Sequence, residues 1–167
     1  MLEKSLIQNS FPLTLEKAFE IRNEYRNHGL KLSVTNGCFD LLHRGHVTYL
    51  AEARSLADRL FVLINSDESI HALKGPTRPL NSALDRAFVL SSLRFVDGVV
   101  IFNTLRCHHE LEVLSPDVYV KGGDYTIDSL AEEERCILLK MNTKIHFIPF
   151  VKGYSTTSLI ERFHDKN

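Results

Sequence analysis

The run from Arg59 to Asn65 (RLFVLIN) is apolar at nearly every position rather than at every second one. A strand with one face in water alternates apolar and polar residues, so a continuous apolar run indicates a strand covered on both faces. Such strands occur in parallel sheets whose connecting helices pack on both sides. This run therefore predicts an α/β fold.

The rest of the chain alternates helical and strand patterns in agreement with that fold. Strand patterns occur at 32–34, 59–65, 99–102, 117–120 and 144–150, and helical patterns at 14–28, from about 46, 81–93, 103–114, 128–141 and after 157. The polar stretch 66–80, with its glycine and prolines, is predicted as a loop. We predict a Rossmann-like doubly wound sheet of about five parallel strands with helices on both faces. Residues 1–13 are predicted to form an N-terminal arm, and residues 14–167 a single domain.

Composition narrows the class of protein. The chain has 167 residues, 44% of them hydrophobic, and a formal net charge of -1, so it lacks the basic balance of a nucleic-acid-binding domain. Cys38, Cys107 and Cys136 are odd in number and far apart, which favours reduced thiols over disulfides or a zinc site. No apolar run approaches the ~20 residues of a membrane span, and a signal-peptide core is lacking. We therefore expect a soluble, cytoplasmic protein.

The stretch from Thr35 to His46 (TNGCFDLLHRGH) joins a predicted buried strand to a predicted helix. His43 and His46 are three residues apart, so both imidazoles can face the space beyond the helix N-terminus. That end of a helix carries unpaired N–H groups and partial positive charge, and Gly45 allows an anion to approach the backbone. The pattern predicts a phosphate site.

Three further residues of this turn have two possible roles each. Asp40 could orient a substrate hydroxyl or a metal-bound water, or it could cap the turn. Asn36 and Gly37 could contact a ligand or simply form a tight turn.

Other candidate residues follow later strands, at the edge where parallel α/β sheets bind ligands. Lys74 and Arg78 lie on the predicted loop, and Arg86 lies on the next helix, where it could reach the site or form a surface ion pair. The glycines at 122 and 123 follow a strand and could be only a turn. Ser155, Thr156 and Thr157 open the last predicted helix and could bind an anion, cap the helix or do both.

Five segments together resemble one group of enzymes. These are TNGCFDLLHRGH at 35–46, NSD at 65–67, LKGPTRP at 73–79, VKGGDY at 120–125 and YSTT at 154–157. The first is similar to the signature of the nucleotidyltransferase superfamily that includes cytidylyltransferases and small adenylyltransferases. All five, in order, resemble the D-glycero-β-D-manno-heptose 1-phosphate adenylyltransferases, and the resemblance runs from about Leu15 to Ile160.

The resemblance implies a reaction in which a sugar-phosphate oxygen attacks the α-phosphorus of ATP, yielding ADP-heptose for lipopolysaccharide or another surface glycan. It implies ATP and a sugar 1-phosphate as substrates, Mg²⁺ held mainly by the nucleotide phosphates rather than by a protein metal site, and a homodimer. Nucleic acid and membrane are not expected partners.

The resemblance also assigns residues to roles. The catalytic residues would be His43, His46 and Lys74. The nucleotide-binding residues would be Asn36, Gly37, Cys38, Phe39, Gly45, Arg86, Lys121, Gly122, Asp124, Ser155, Thr156 and Thr157. The sugar-phosphate side would comprise Asp40, Asp67, Arg78 and Gly123.

Two other functions are compatible with parts of the pattern. A cytidylyltransferase acting on glycerol 3-phosphate or a similar alcohol phosphate shares the histidine turn and the Ser-Thr-Thr segment, but the segments at 35–38 and 121–125 look more like the heptose enzyme. A nucleotide-binding regulatory module without catalysis is the second, and the presence of both histidines, Lys74 and Ser-Thr-Thr argues against it.

Overall fold

The computed structural model describes residues 11–149 and Gly153. Its described part contains one five-stranded sheet of order β3-β2-β1-β4-β5, in which every paired strand is parallel. The strands are β1 (Leu32–Gly37), β2 (Arg59–Asn65), β3 (Gly98–Phe102), β4 (Val118–Gly122) and β5 (Lys144–Ile148). The predicted doubly wound architecture is confirmed.

Six α-helices alternate with the strands in the described residues. They are α1 (Leu15–Asn27), α2 (Arg44–Ser55), α3 (Asp67–Lys74), α4 (Ala83–Ser91), α5 (His108–Leu114) and α6 (Glu132–Lys140). None of the helices described is long and apolar enough to cross a membrane.

Strand β2 shows why its sequence is continuously apolar. Phe61 and Leu63 pack on one face of the sheet with α1, α5 and α6, whereas Leu60, Val62 and Ile64 pack on the other face with α2 and α4. All five side chains are fully buried. The hydrophobic effect therefore stabilises both layers through this central strand.

The main departure from the sequence prediction is α3, which lies inside the stretch predicted to be a loop. Ser66 caps this helix by accepting a hydrogen bond from Ser69 N, and the acidic Asp67 and Glu68 lie in its first turn. Both features stabilise a helix start. The helix has only eight residues and buries only Ser69 and Ile70, so few apolar positions mark it in the sequence.

Helix α4 differs from its prediction in two respects. Ser82, rather than Asn81, caps the helix. Leu84 and Phe88, which were expected in the core, are 60% and 62% exposed, whereas Ala87 and Leu90 are buried. The predicted helices at 103–114 and 128–141 begin later, at His108 and Glu132.

Part of the predicted N-terminal arm lies outside the described residues, as do the segment from 154 onward and its predicted helix. At the described end of the arm, Leu13 is buried and pairs with Val100 of β3 through a parallel bridge. Its amide donates to the carbonyl of Val99.

The sheet has a topological switch point between β1 and β4. From β1 the chain crosses through α2 to β2 on one side, and β4 pairs on the other side of β1. Ligands of open α/β sheets bind at the carboxyl ends of the strands at such a point. Tyr49 of α2 spans it, because its hydroxyl hydrogen-bonds to Thr35 of β1 and donates to the carbonyl of Val120 of β4.

We expect Leu63→Ala to lower the free energy of unfolding by about 2–5 kcal/mol, because it leaves a cavity in the central strand. Leu139→Ala is the matched control, since Leu139 is 57% exposed on α6 and its truncation should change that free energy by no more than about 0.5 kcal/mol. Urea unfolding measures both. Equal losses would contradict the central position assigned to β2.

Candidate active site

The turn after β1 is shaped by a backbone conformation that few residues adopt. Phe39 has φ 47° and is nevertheless buried. Its ring lies over Gly37, where an added Cβ would come within 2.9 Å of the ring. The same ring makes an edge contact with His46, at a centroid distance of 5.3 Å. Gly37 is therefore needed for Phe39 to support His46.

His43 and His46 lie together at the N-terminus of α2, as the sequence predicts. His43 is the N-cap, and its Nδ1 accepts a hydrogen bond from the backbone N–H of His46. The two imidazoles are stacked with their centroids 3.8 Å apart. Both rings are thus positioned by the helix start itself.

Burial lowers the pKa of both His43 and His46, which favours their neutral forms. For His46 the lowered pKa is about 4: the neighbouring His43 and Lys74 add to the effect of burial, and the Leu41 carbonyl opposes it. An anion brought to this point would favour protonation of the imidazoles.

Asp40 anchors the loop before α4. Its buried carboxylate accepts hydrogen bonds from the backbone N–H groups of Leu80 and Asn81 at 2.8 and 3.0 Å, and forms an ion pair with Arg78 at 2.7 Å. Burial alone would raise the pKa of Asp40, but the hydrogen bonds from Asn81, Leu80 and Arg78 outweigh burial and lower it. The Asp40 carboxylate therefore joins the turn after β1 to the loop that carries Arg78.

Arg86 lies under the turn rather than on its surface. Its guanidinium donates to the carbonyls of Cys38, Asn65 and Asn81 and pairs with Asp67 at 2.8 Å. The side chain is 0% exposed, whereas that of Asp67 is 41% exposed. Arg86 therefore joins the ends of β1 and β2 to the starts of α3 and α4.

The opposite wall of the crevice comes from β4. Lys121 donates to Oδ1 of Asn36 at 2.8 Å, and Tyr119 donates to the same oxygen at 2.8 Å. Gly122 is packed against the Tyr49 ring, and Gly123 has φ 118°, a conformation that glycine adopts without strain.

Most predicted site residues lie at this one edge of the sheet. The turn supplies the residues from 36 to 46, α3 supplies Asp67 and Lys74, and β4 and its loop supply Lys121, Gly122, Gly123 and Asp124. The predicted anion-binding residues Ser155, Thr156 and Thr157 lie outside the described residues.

Tyr119 and Glu134 were not predicted, although they are buried beside this wall. Glu134 on α6 has its carboxylate 3.9 Å from the Lys121 ammonium. The sequence carries one signal that could have identified Glu134. It lies four residues from both Leu130 and Leu138, and all three side chains are buried in the structure. That spacing places the glutamate on the apolar face of the helix.

Residues 34–162 match the family described as cytidylyltransferase-like. The bifunctional protein HldE of Hyphomonas neptunium is 48% identical over 138 residues, which cover 83% of this chain and 28% of that protein. HldE of Rhodospirillum rubrum is 44% identical over 149 residues, with coverages of 89% and 30%. The chain thus spans less than a third of the length of these relatives.

Two solved structures are similar as well. The lipopolysaccharide core biosynthesis protein of Thermoplasma volcanium superposes with a TM-score of 0.60 at 26% identity, covering 76% of this chain and 100% of that one. The pantoate-beta-alanine ligase of Francisella tularensis gives a TM-score of 0.55 at 15% identity, covering 89% and 76%. The second likeness concerns the fold alone.

His46→Gln should make the free energy of unfolding less sensitive to acid. The folded pKa is about 4, below the ordinary value of about 6.5, so between these values the unfolded chain binds the proton that the folded protein does not. Stability therefore falls as the pH decreases from about 7 to about 5, and this imidazole accounts for about 1 kcal/mol of the loss after allowance for its partial exposure.

Urea unfolding at both pH values measures the difference. His28→Gln is the control, because His28 is exposed at the end of α1, and it should retain the full acid sensitivity of the wild type. A wild-type loss no larger than that of His46→Gln would contradict the neutral state of His46.

Proposed function

Because the chain belongs to the cytidylyltransferase-like family, we propose that it transfers AMP from ATP to D-glycero-β-D-manno-heptose 1-phosphate, releasing pyrophosphate. The observation that carries the proposal is the stacked pair His43 and His46 at the N-terminus of α2. The motif resemblance is the reason for proposing this sugar phosphate. The relatives named HldE and the similar lipopolysaccharide core biosynthesis protein support a role in making ADP-heptose for a surface glycan.

The proposed chemistry needs alignment and charge stabilisation rather than a protein nucleophile. An oxygen of the sugar phosphate attacks the α-phosphorus of ATP, and the bond from that phosphorus to the bridging oxygen of pyrophosphate breaks. His43 and His46 donate hydrogen bonds to the α-phosphate oxygens as negative charge develops there. Lys74 stabilises the departing pyrophosphate.

We propose that Mg²⁺ enters with ATP, where it would neutralise phosphate charge. No group of three or more His, Cys, Asp or Glu side chains in the described ranges has the arrangement of a metal site. The buried carboxylate of Asp40 is bound to Arg78, and Asp67 is paired with Arg86. Both carboxylates already have a guanidinium partner, so we assign neither as a ligand of the cation.

The wild-type protein should release pyrophosphate when ATP and heptose 1-phosphate are both present, and not when CTP replaces ATP or glycerol 3-phosphate replaces the sugar. Coupled pyrophosphate detection measures each combination. Turnover with CTP and glycerol 3-phosphate alone would instead support the alternative cytidylyltransferase. Nucleotide binding without turnover on any pair would support a regulatory module.

Within the same assay, His46→Ala should reduce turnover at least about 100-fold, the scale of losing one charge-stabilising donor. His28→Ala is the matched control, because His28 ends α1 before β1 begins, at the sheet edge opposite the site. Near-normal turnover of a folded His46→Ala protein would contradict the role assigned to the pair.

We also propose that the protein acts as a homodimer in the cytoplasm. Three free cysteine thiols support the location. The exposed apolar face of α4, formed by Leu84, Phe88 and Val89, supports association, since such patches mark interaction surfaces.

Leu84→Glu should convert the proposed dimer to a monomer, because it places a charge in the contact. Light scattering after size-exclusion chromatography measures the mass. Leu139→Glu is the control, since Leu139 is equally exposed on α6, and it should remain dimeric. A wild-type monomer, or a dimer that survives Leu84→Glu, would contradict this interface.

A further inference from the structure

A buried carboxylate lies behind the β4 wall of the crevice. The Glu134 side chain is 3% exposed. Its Oε1 accepts a hydrogen bond from the backbone N–H of Cys107 at 3.3 Å, and its Oε2 lies 3.4 Å from the Tyr119 hydroxyl and 3.9 Å from the Lys121 ammonium. A carboxylate buried without a compensating charge is strongly destabilised, and the Lys121 ammonium supplies that charge. What requires an explanation is why a charged side chain is buried at this position.

A purely structural role explains only half of these contacts. Oε1 satisfies the amide of Cys107, which begins α5 without a side-chain cap of its own. An amide oxygen would serve this purpose equally well and would not bring a negative charge into the core. The charge of Glu134 is therefore explained by what lies at Oε2.

Two neutral groups contact the Lys121 ammonium. Asn36 Oδ1 accepts from it at 2.8 Å, and the Tyr119 hydroxyl lies at 3.3 Å. Burial raises the pKa of Tyr119 well above its usual value, and Glu134 adds to the effect, so the phenol keeps the proton that it donates to Asn36. The phenol and the amide together link the ends of β1 and β4.

The separation of 3.9 Å between Glu134 and Lys121 is too long for a hydrogen bond but short enough for strong electrostatic attraction. Of the three ammonium hydrogens, the contacts with Asn36 and Tyr119 account for two. Glu134 thus attracts the ammonium group by its charge and leaves the third ammonium hydrogen to another acceptor. Lys121 is 16% exposed at the switch point, next to the Tyr125 ring at 5.5 Å, so it borders the crevice.

We propose that Glu134 is a positioning residue for the nucleotide site: it holds the Lys121 ammonium against Asn36 so that the remaining N–H is directed to an oxygen of the bound nucleotide. This inference rests on the proposed nucleotidyl transfer. It gives the two walls different functions, because the histidines on α2 stabilise charge that develops during the reaction, whereas Lys121 contacts the nucleotide when it binds.

A double-mutant cycle tests the inference. Glu134→Gln keeps the shape and an oxygen for the Cys107 amide but removes the charge, and Lys121→Met removes the ammonium. Each single variant should lower kcat/KM for ATP at least about tenfold, the scale of coupling between contacting residues. We expect this loss mainly in KM and in the Kd for ATP measured by calorimetry. The double variant should be no worse than Lys121→Met.

Glu110→Gln provides the control, because Glu110 is another buried glutamate, on α5, and it should keep kcat/KM within about twofold of the wild type. Thermal unfolding of every variant separates loss of fold from loss of positioning. Additive losses in kcat/KM, or a folded Glu134→Gln protein with unchanged KM and Kd, would overturn the inference. A wild-type protein that neither binds ATP nor turns over would overturn the proposed function instead, so the two failures are distinguishable.

Discussion

A buried guanidinium such as that of Arg86 needs hydrogen-bond acceptors from the segments around it. This need determines how the segments at the site edge of the sheet are arranged. The carbonyls of Cys38, Asn65 and Asn81 and the carboxylate of Asp67 meet that demand. Leaving a buried charge without partners costs several kcal/mol, on the order of 3–5 when one partner is removed. The turn that carries the histidines is therefore coupled to the ends of two strands and the starts of two helices through one side chain.

The sequence predicts the fold well because the evidence for it is local. Continuous apolar runs such as 59–65 identify buried strands, and their alternation with helical patterns leaves few topologies. Helix α3 was missed because it is only eight residues long, with Ile70 its only buried apolar side chain, so its start is marked mainly by the Ser66 cap and the acidic first turn. Leu84 and Phe88 were assigned to the core because hydrophobicity alone does not show which apolar residues a helix buries.

The site was predictable where its residues are close in sequence. His43 and His46 are held by one helix start, and their spacing shows it. The partners of Arg86, the pairing of Asp40 with Arg78, and the contact of Glu134 with Lys121 join residues far apart in the chain. Such contacts depend on the tertiary arrangement, and no spacing pattern encodes them.

Tyr49 connects α2 to two strands at the floor of the crevice. One phenol on α2 hydrogen-bonds to β1 and to β4, and its ring packs against Gly122. Strands β1 and β4 are hydrogen-bonded neighbours at the point where ligands of such sheets bind. The two strands that form the floor of the crevice are therefore joined to each other and to α2 by one side chain. A closure around a substrate that kept these contacts would come from the loops above the floor and not from separation of the strands.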